Sequence, residues 1–132
     1  MAELRFALKQ RYLVLAALAA ALLGACFPAV PARAGTPFDG TWSVLIVTDA
    51  GSCDRAYRYA LNITNGRISY GDPSFDVSGH VAASGRVRVS VRFGQQQASG
   101  AGRLSHDFGQ GTWRGRSSTS TCSGHWEAER RG

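Results

Sequence analysis

The fold of this chain is decided by the stretch Phe38-Asp39-Gly40-Thr41-Trp42-Ser43-Val44-Leu45-Ile46-Val47-Thr48. Its side chains alternate with a period of two, which is typical of a strand that buries one face. Gly-Thr-Trp occurs again near the end of the chain, as Gly111-Thr112-Trp113. We therefore predict that this stretch is the first strand of a small antiparallel barrel, and that the last strand pairs with it. The inward face is predicted to carry Phe38, Gly40, Trp42, Val44 and Ile46.

The chain after this stretch continues to alternate, in short segments separated by turn residues. Asn65-Gly66 is its strongest hairpin signal, because a type I′ turn needs positive φ at both positions. The clearest strand is Arg86–Phe93, in which valines point inward and arginines outward. Strands two to five are predicted at 57–64, 67–70, 75–81 and 86–93. Strand six follows Gly94 and carries Ala98 to Leu104, and strands seven and eight are predicted at 108–115 and 122–130.

These segments define the predicted fold class. No long stretch has helical periodicity, and the connections are too short for a crossover helix. We predict an all-β protein, a small eight-stranded antiparallel up-and-down barrel of calycin-like form with one disulfide, preceded by an N-terminal signal helix. Eight strands enclose an interior that side chains just fill or that holds one small ligand. A two-layer sandwich is the alternative.

The first 34 residues have the pattern of an export signal. A basic head with Arg5, Lys9 and Arg11 precedes an uncharged run of Leu, Ala and Val. Small residues then lead to a predicted cut between Ala34 and Gly35. The domains are thus a cleaved signal peptide at 1–34 and one barrel domain at 35–132. An uncleaved membrane anchor is the alternative, although the apolar run is short for a span.

A second processing route competes with this cut. Leu23-Gly24-Ala25-Cys26 resembles a bacterial lipobox, in which the cysteine becomes lipid-modified after cleavage, and it lies at the end of the apolar run. The predicted location is therefore periplasmic or secreted, with lipid anchoring to the outer membrane through Cys26 as the alternative. We predict that the protein contacts the membrane only through the leader or a lipid anchor.

Net charge gives little indication of a partner. The chain has a formal net charge of +6, with 15 Lys+Arg and 9 Asp+Glu. The leader holds four of the basic residues and one of the acidic ones, so the leader contributes half of the net charge. We therefore predict no nucleic-acid partner.

Two cysteines, Cys53 and Cys122, remain for the fold after either processing route. An even pair in an exported chain predicts a disulfide. The strands on either side of strand one are about 9.6 Å apart, whereas bridged Cα atoms lie within about 7 Å. The bridge is therefore expected to pass over the end of strand one, with both cysteines in loops.

Inward-facing glycines are concentrated on strands six and seven, at Gly100, Gly102, Gly109 and Gly111. Glycine weakens a strand, so its repeated use needs a reason. One interpretation is that the glycines make room for tryptophans or allow sharp coiling. The other is a ligand cavity lined by Trp and Tyr. The candidate cavity or core residues are Trp42, Tyr57, Tyr59, Trp113 and Trp126.

No catalytic or metal constellation stands out. Ser105-His106-Asp107 has the residue types of a hydrolase relay, but contiguous side chains point in different directions. His80 and His125 are predicted on outward faces and His106 at a turn. These positions do not indicate that the three side chains converge on one metal ion. We predict no catalytic residue, no metal site, no cofactor and no enzymatic activity. Arg86, Arg88 and Arg92 form a stripe, either a solvated face or a contact for anionic envelope lipids or polysaccharide.

Three segments carry a family resemblance. Phe38-Asp39-Gly40-Thr41-Trp42-Ser43-Val44, Cys53-Asp54-Arg55-Ala56-Tyr57-Arg58-Tyr59 and the run from Cys122 to Arg130 resemble a group of short exported proteins of Gram-negative bacteria. The resemblance implies export and cysteine pairing, and it implies no reaction.

Two further barrel families share the Gly-Thr-Trp opening. Avidin-like proteins follow it with polar residues that hold biotin, whereas Ser43-Val44-Leu45 follows here. Periplasmic metalloprotease inhibitors are similar eight-stranded barrels with one disulfide, and they act through an N-terminal segment that corresponds to Gly35-Thr36-Pro37. The leading hypothesis is an exported binding or envelope-associated barrel for a small hydrophobic ligand or an envelope component. A protease inhibitor and a haem carrier are the alternatives.

Overall fold

The protein is represented by a computed structural model, which describes residues 24–28 and 35–132. The chain divides into two units, Met1–Arg33 and Ala34–Gly132, and the second holds the barrel. The predicted signal peptide, signal helix and Ala34 of the cleavage site lie outside the described residues, apart from 24–28. Within 24–28, Cys26 is exposed and outside the disulfide.

The eight strands form one closed antiparallel barrel, in which each strand pairs with the next and β8 pairs with β1. The prediction of an all-β up-and-down barrel is confirmed, and the sandwich alternative is wrong. Asn65 and Gly66 have φ values of 51° and 76°, as the predicted hairpin requires. The strands are β1 (Gly40–Ala50), β2 (Ala56–Thr64), β3 (Arg67–Tyr70), β4 (Asp76–Val81), β5 (Arg86–Phe93), β6 (Gln96–Ser105), β7 (Phe108–Arg116) and β8 (Thr121–Arg130).

One end of the barrel, which we call the closed end, is sealed by the segment before β1. The prediction that β1 starts at Phe38 is wrong, because the chain turns there and Asp39 N–H donates to the Thr36 carbonyl at 3.1 Å. Phe38 is nonetheless buried beside Trp42, whose Nε1 donates to the Phe38 carbonyl at 2.9 Å. The chain before the barrel therefore forms part of the core.

Arg130 clamps the closed end from the last strand. Its guanidinium lies 4.8 Å from the centre of the Trp42 ring, a cation–π arrangement. It donates to the carbonyls of Pro37, Asp39 and His106 at 2.6, 2.7 and 2.9 Å. The segment before β1 and the end of β8 are therefore held together next to the Trp42 ring.

Asp39 stabilises the closed end by binding the turn of the β2–β3 hairpin. Its carboxylate accepts hydrogen bonds from the Thr36 hydroxyl and from the N–H groups of Asn65, at 2.8 Å, and Gly66, at 3.2 Å. The Thr36 hydrogen bond first, and then that of Asn65, lower the pKa of Asp39 below its usual 3.8. The ionised carboxylate therefore stabilises the fold above the usual pKa, and this contribution is lost as the pH falls through the folded-state pKa.

Asp39→Asn is accordingly expected to destabilise the protein in a pH-dependent way. It should lower the melting temperature near neutral pH, and the difference from the parent should shrink as the pH falls below 3.8. Thermal melts between about pH 2 and about pH 7 measure this. Asp54→Asn is the control, because no hydrogen bond to its side chain exists among the described residues. A gap that stays constant with pH would contradict the assignment.

The predicted disulfide between Cys53 and Cys122 is confirmed, with Cα atoms 6.1 Å apart. The expectation that both cysteines lie in loops is wrong for Cys122, which lies in β8 opposite Gly115. The β1–β8 register shifts between Thr48 and Ala50. A Cβ on Gly51 would stand only 2.7 Å from the Cys122 sulfur. The bridge thus passes over the end of β1, because that end bends and Gly51 leaves room.

Candidate ligand-binding site

A cavity of about 570 Å³ occupies the barrel between the closed end and the opposite end, which we call the mouth. Its volume lies within the range of about 300–1,000 Å³ that is usual for small-molecule sites. The inward faces of the strands line it, and the described part of the chain has no buried polar or charged residue. The interior is therefore suited to an apolar molecule.

Trp126 forms part of the cavity wall toward the closed end and lies flat against glycines of β6 and β7. A Cβ on Gly102 would stand 2.5 Å from the ring, and one on Gly111 would stand 2.6 Å from it. A Cβ on Gly109 would be 3.4 Å away. The glycines of these two strands thus make room for one indole, and the space that remains beside it belongs to the cavity. Trp126 Nε1 is buried without an acceptor among the described residues.

Trp113 forms the wall nearer the mouth and connects β7 to β1 across β8. Its Nε1 donates to the Val47 carbonyl at 2.9 Å. The indole passes over Gly124 of β8, where a Cβ would come within 1.8 Å of the Val47 oxygen. The position of Trp113 therefore depends on a glycine in the strand between the two partners.

Aromatic rings line the mouth on the side formed by β2 to β5, and we call this set the aromatic rim. Phe75 and Phe93 stack with centroids 4.5 Å apart, and Tyr70 meets Phe75 edge-on at 5.3 Å. Tyr59 meets Tyr70 at 5.7 Å. Tyr57 is 47% exposed and Phe93 42% exposed, although both face the opening. The members of the rim are Tyr57, Tyr59, Tyr70, Phe75 and Phe93.

The rim carries no charge at neutral pH. Burial, with smaller contributions from Tyr70 and Asp54, raises the pKa of the Tyr59 phenol above its usual 10.0. The phenol therefore stays protonated, and the rim presents apolar ring faces with neutral hydroxyl groups.

The sheet is least continuous beside the rim, between β3 and β4. Only two residue pairs join these strands, Arg67 with His80 and Ile68 with Gly79. Tyr70 and Phe75 fill the gap toward the mouth with their rings instead of with backbone hydrogen bonds. Polar groups lie further around the opening, where the Arg116 guanidinium donates to Gln97 Oε1 at 3.4 Å. The mouth can thus hold a polar end of a ligand whose body is apolar.

The five aromatic residues singled out from the sequence all line this cavity. Trp42 and Trp126 lie toward the closed end, Trp113 on the wall, and Tyr57 and Tyr59 at the rim. Sequence reasoning did not assign Tyr70, Phe75 and Phe93 to a site. Each is the terminal inward-facing residue of its predicted strand, at the end of the barrel where Cys53 lies. That position in the alternation could have identified all three residues as part of the site.

The three histidines and Ser105 do not come together in a catalytic or metal site. His80 lies on the outer face of β4, His106 in the turn after β6, and His125 Nδ1 lies 2.7 Å from Asp49. Ser105 Oγ donates to the Phe108 carbonyl rather than to His106. No group of three metal-ligating side chains exists among residues 24–28 and 35–132.

The predicted inhibitory segment, Gly35-Thr36-Pro37, is attached to the closed end. The Thr36 hydroxyl donates to Asp39, and the Pro37 carbonyl accepts from Arg130. This segment therefore lies at the opposite end of the barrel from the mouth.

Fold and site together define a small disulfide-linked barrel with an apolar cavity that is open at one end, an architecture compatible with a binding or envelope protein. The disulfide indicates a non-reducing, exported environment. Within the described ranges no helix is long and apolar enough to cross a membrane. Comparison of the chain with protein-family models, curated proteins and solved structures finds no match.

Proposed function

We propose that the protein is a non-enzymatic binding protein, exported to the periplasm or secreted, that holds one small, mainly apolar molecule in the barrel. The observation that carries the proposal is the cavity with its aromatic rim. A soluble domain has no packing reason to leave Tyr57 and Phe93 half-exposed around an apolar space. A ligand that enters the mouth would cover both rings.

The proposed location rests on the leader and the disulfide. Residues 1–34 act as the signal peptide in this proposal, with cleavage before Gly35 or, alternatively, lipid attachment at Cys26. The likeness to short exported proteins of Gram-negative bacteria is consistent with this assignment. Mass measurement of the N-terminus of the exported protein distinguishes the two processing routes.

The alternatives are less well supported by the cavity. A haem carrier needs an axial ligand, and the lining offers tyrosine but no histidine or methionine. A protease inhibitor of the barrel type needs an accessible N-terminal segment, whereas Thr36 and Pro37 are engaged by Asp39 and Arg130. Neither alternative accounts for the aromatic rim.

We expect the protein to bind N-phenyl-1-naphthylamine, an uncharged fluorescent apolar probe, and Ala98→Trp to weaken this binding at least tenfold. Ala98 is half-buried on the inner face of β6 and lines the cavity, so a bulky side chain there fills the space that the probe needs. Probe fluorescence, measured on protein produced from the full chain, reports the dissociation constant.

Ala101→Trp is the matched control for this test. Ala101 lies on the same strand but is exposed on the outer face, opposite Arg88 and Thr112. The control should bind the probe like the parent, and both variants should keep the far-ultraviolet circular dichroism and the cooperative thermal melt of a folded barrel. No binding by the parent, or equal weakening in both variants, would refute the cavity as the site.

A further inference from the structure

The outer wall of the barrel from β3 to β7 is strongly basic, a feature that the cavity does not explain. These strands carry seven arginines on their outward faces but a single carboxylate, Asp76. No ion pair involves any of the seven among the described residues. We call this surface the arginine wall. Its arginines are Arg67, Arg86, Arg88, Arg92, Arg103, Arg114 and Arg116.

The strand register places like charges beside one another on this wall. Arg86 lies directly opposite Arg103, and of the seven arginines only Arg92 lies opposite a carboxylate, Asp76. Opposite charges across a strand pair stabilise a sheet, whereas like charges destabilise it. The wall therefore carries a repulsion that folding alone does not require, and a bound polyanion would relieve it.

A row of small hydroxyl side chains runs across the strands between the arginines. Ser78, Ser90 and Ser99 are successive cross-strand partners on β4, β5 and β6. The next partner along this row, on β7, is Arg114. All four residues are exposed. Since serine is small beside arginine, the row forms a shallow furrow across the convex wall.

Arginines border the furrow on both sides. The neighbouring row toward the mouth holds Arg92 and Arg116, joined through Gln97, and it begins on β4 with the single carboxylate, Asp76. The row on the other side holds Arg88. A chain lying in the furrow would thus meet guanidinium groups along both edges and at the Arg114 end, with hydroxyl groups beneath it.

We propose that the arginine wall binds a linear acidic polysaccharide along the serine furrow. Guanidinium groups bind carboxylates and sulfates through paired hydrogen bonds, and serine hydroxyls can bond sugar hydroxyls. A bilayer surface fits less well, because these rows contain no large apolar side chain to enter the headgroup region. Single-stranded nucleic acid fits less well too, because the rows offer no Phe, Tyr or Trp ring on which a base could stack.

The test compares two double variants that remove the same charge. Arg88→Gln/Arg114→Gln alters both sides of the furrow, whereas Arg55→Gln/Arg131→Gln removes two arginines outside the wall. The probes are polygalacturonate, heparin, phosphatidylglycerol vesicles and a single-stranded DNA oligonucleotide. Dissociation constants are measured at low salt and across a salt series, because charge-driven binding weakens as salt rises.

The proposal expects the parent to bind polygalacturonate or heparin, with affinity falling at least tenfold in the wall variant and less than threefold in the control. The wall variant should melt near the parent temperature, since neither Arg88 nor Arg114 forms an ion pair among the described residues. Equal loss in both variants would mean that only net charge matters and would overturn the furrow. Tighter binding of vesicles or DNA than of either polysaccharide would overturn the choice of partner. The test does not depend on the cavity, so either proposal can fail alone.

Discussion

Gly111→Ala is expected to destabilise the barrel by at least about 3 kcal/mol, toward the upper end of overpacking effects. A Cβ at this position would stand 2.1 Å from the Ala101 carbonyl oxygen and 2.6 Å from the Trp126 ring. The first of these contacts is with backbone on β6, so a rotamer change cannot relieve it. Either the β6–β7 pairing opens, or β7 moves and displaces the indole.

Chemical denaturation of parent and variant measures this effect, and Gly71→Ala is the matched control. A Cβ on Gly71 would meet nothing within 4 Å, and the residue lies in the loop after β3. That control should change the free energy of unfolding by less than about 0.5 kcal/mol. A variant at Gly111 as stable as the control would mean that the indole does not lie against β6 and β7 in solution.

The pairing of these glycines with Trp126 illustrates what a sequence can and cannot predict. Alternation and turn residues were enough to place the strands, and the ranges of β3 and β5 were predicted to the residue. The inward position of Gly102 and Gly111 followed from the same period of two. That both glycines face a tryptophan from β8 depends on cross-strand register, which alternation does not specify.

The start of β1 was missed because a tertiary interaction overrides the pattern. Phe38 continues the alternation, yet the chain turns at Phe38 because Asp39 accepts hydrogen bonds from the distant Asn65-Gly66 hairpin. Cys122 was misplaced for a similar reason. Its bridge geometry depends on the register shift near Ala50 and on the missing side chain of Gly51, which no local pattern reports.

The sequence predicted aromatic residues that line the candidate site, but it did not distinguish a cavity from a packed core. Trp113 and Tyr59 were singled out as aromatic and inward-facing, which holds for residues of a filled core as well as for those of a cavity. The difference depends on how the side chains fill the interior at each level of the barrel. At the closed end Phe38, Trp42 and Trp126 fill it, whereas valines and glycines leave space above them.

The two ends of the barrel therefore differ in how they are stabilised. The closed end holds most of the buried core and the Arg130 clamp. The mouth has an incomplete β3–β4 pairing and exposed rings, so a covalent constraint there has more to stabilise. The disulfide lies at this end, with Cys53 in the loop after β1 and lining the cavity.

Cys53→Ala/Cys122→Ala is expected to cost about 4 kcal/mol of unfolding free energy, since the bridge joins residues 69 positions apart. That is a large share of the roughly 5–15 kcal/mol by which domains are stable. Each single variant should cost nearly as much as the double, because either one removes the bridge. Parent protein treated with a reductant is the control. It should match the double variant, apart from a small extra loss where alanine replaces the buried Cys122 side chain. A loss below about 1 kcal/mol in the double variant would show that the β1–β8 ladder holds the mouth closed without sulfur.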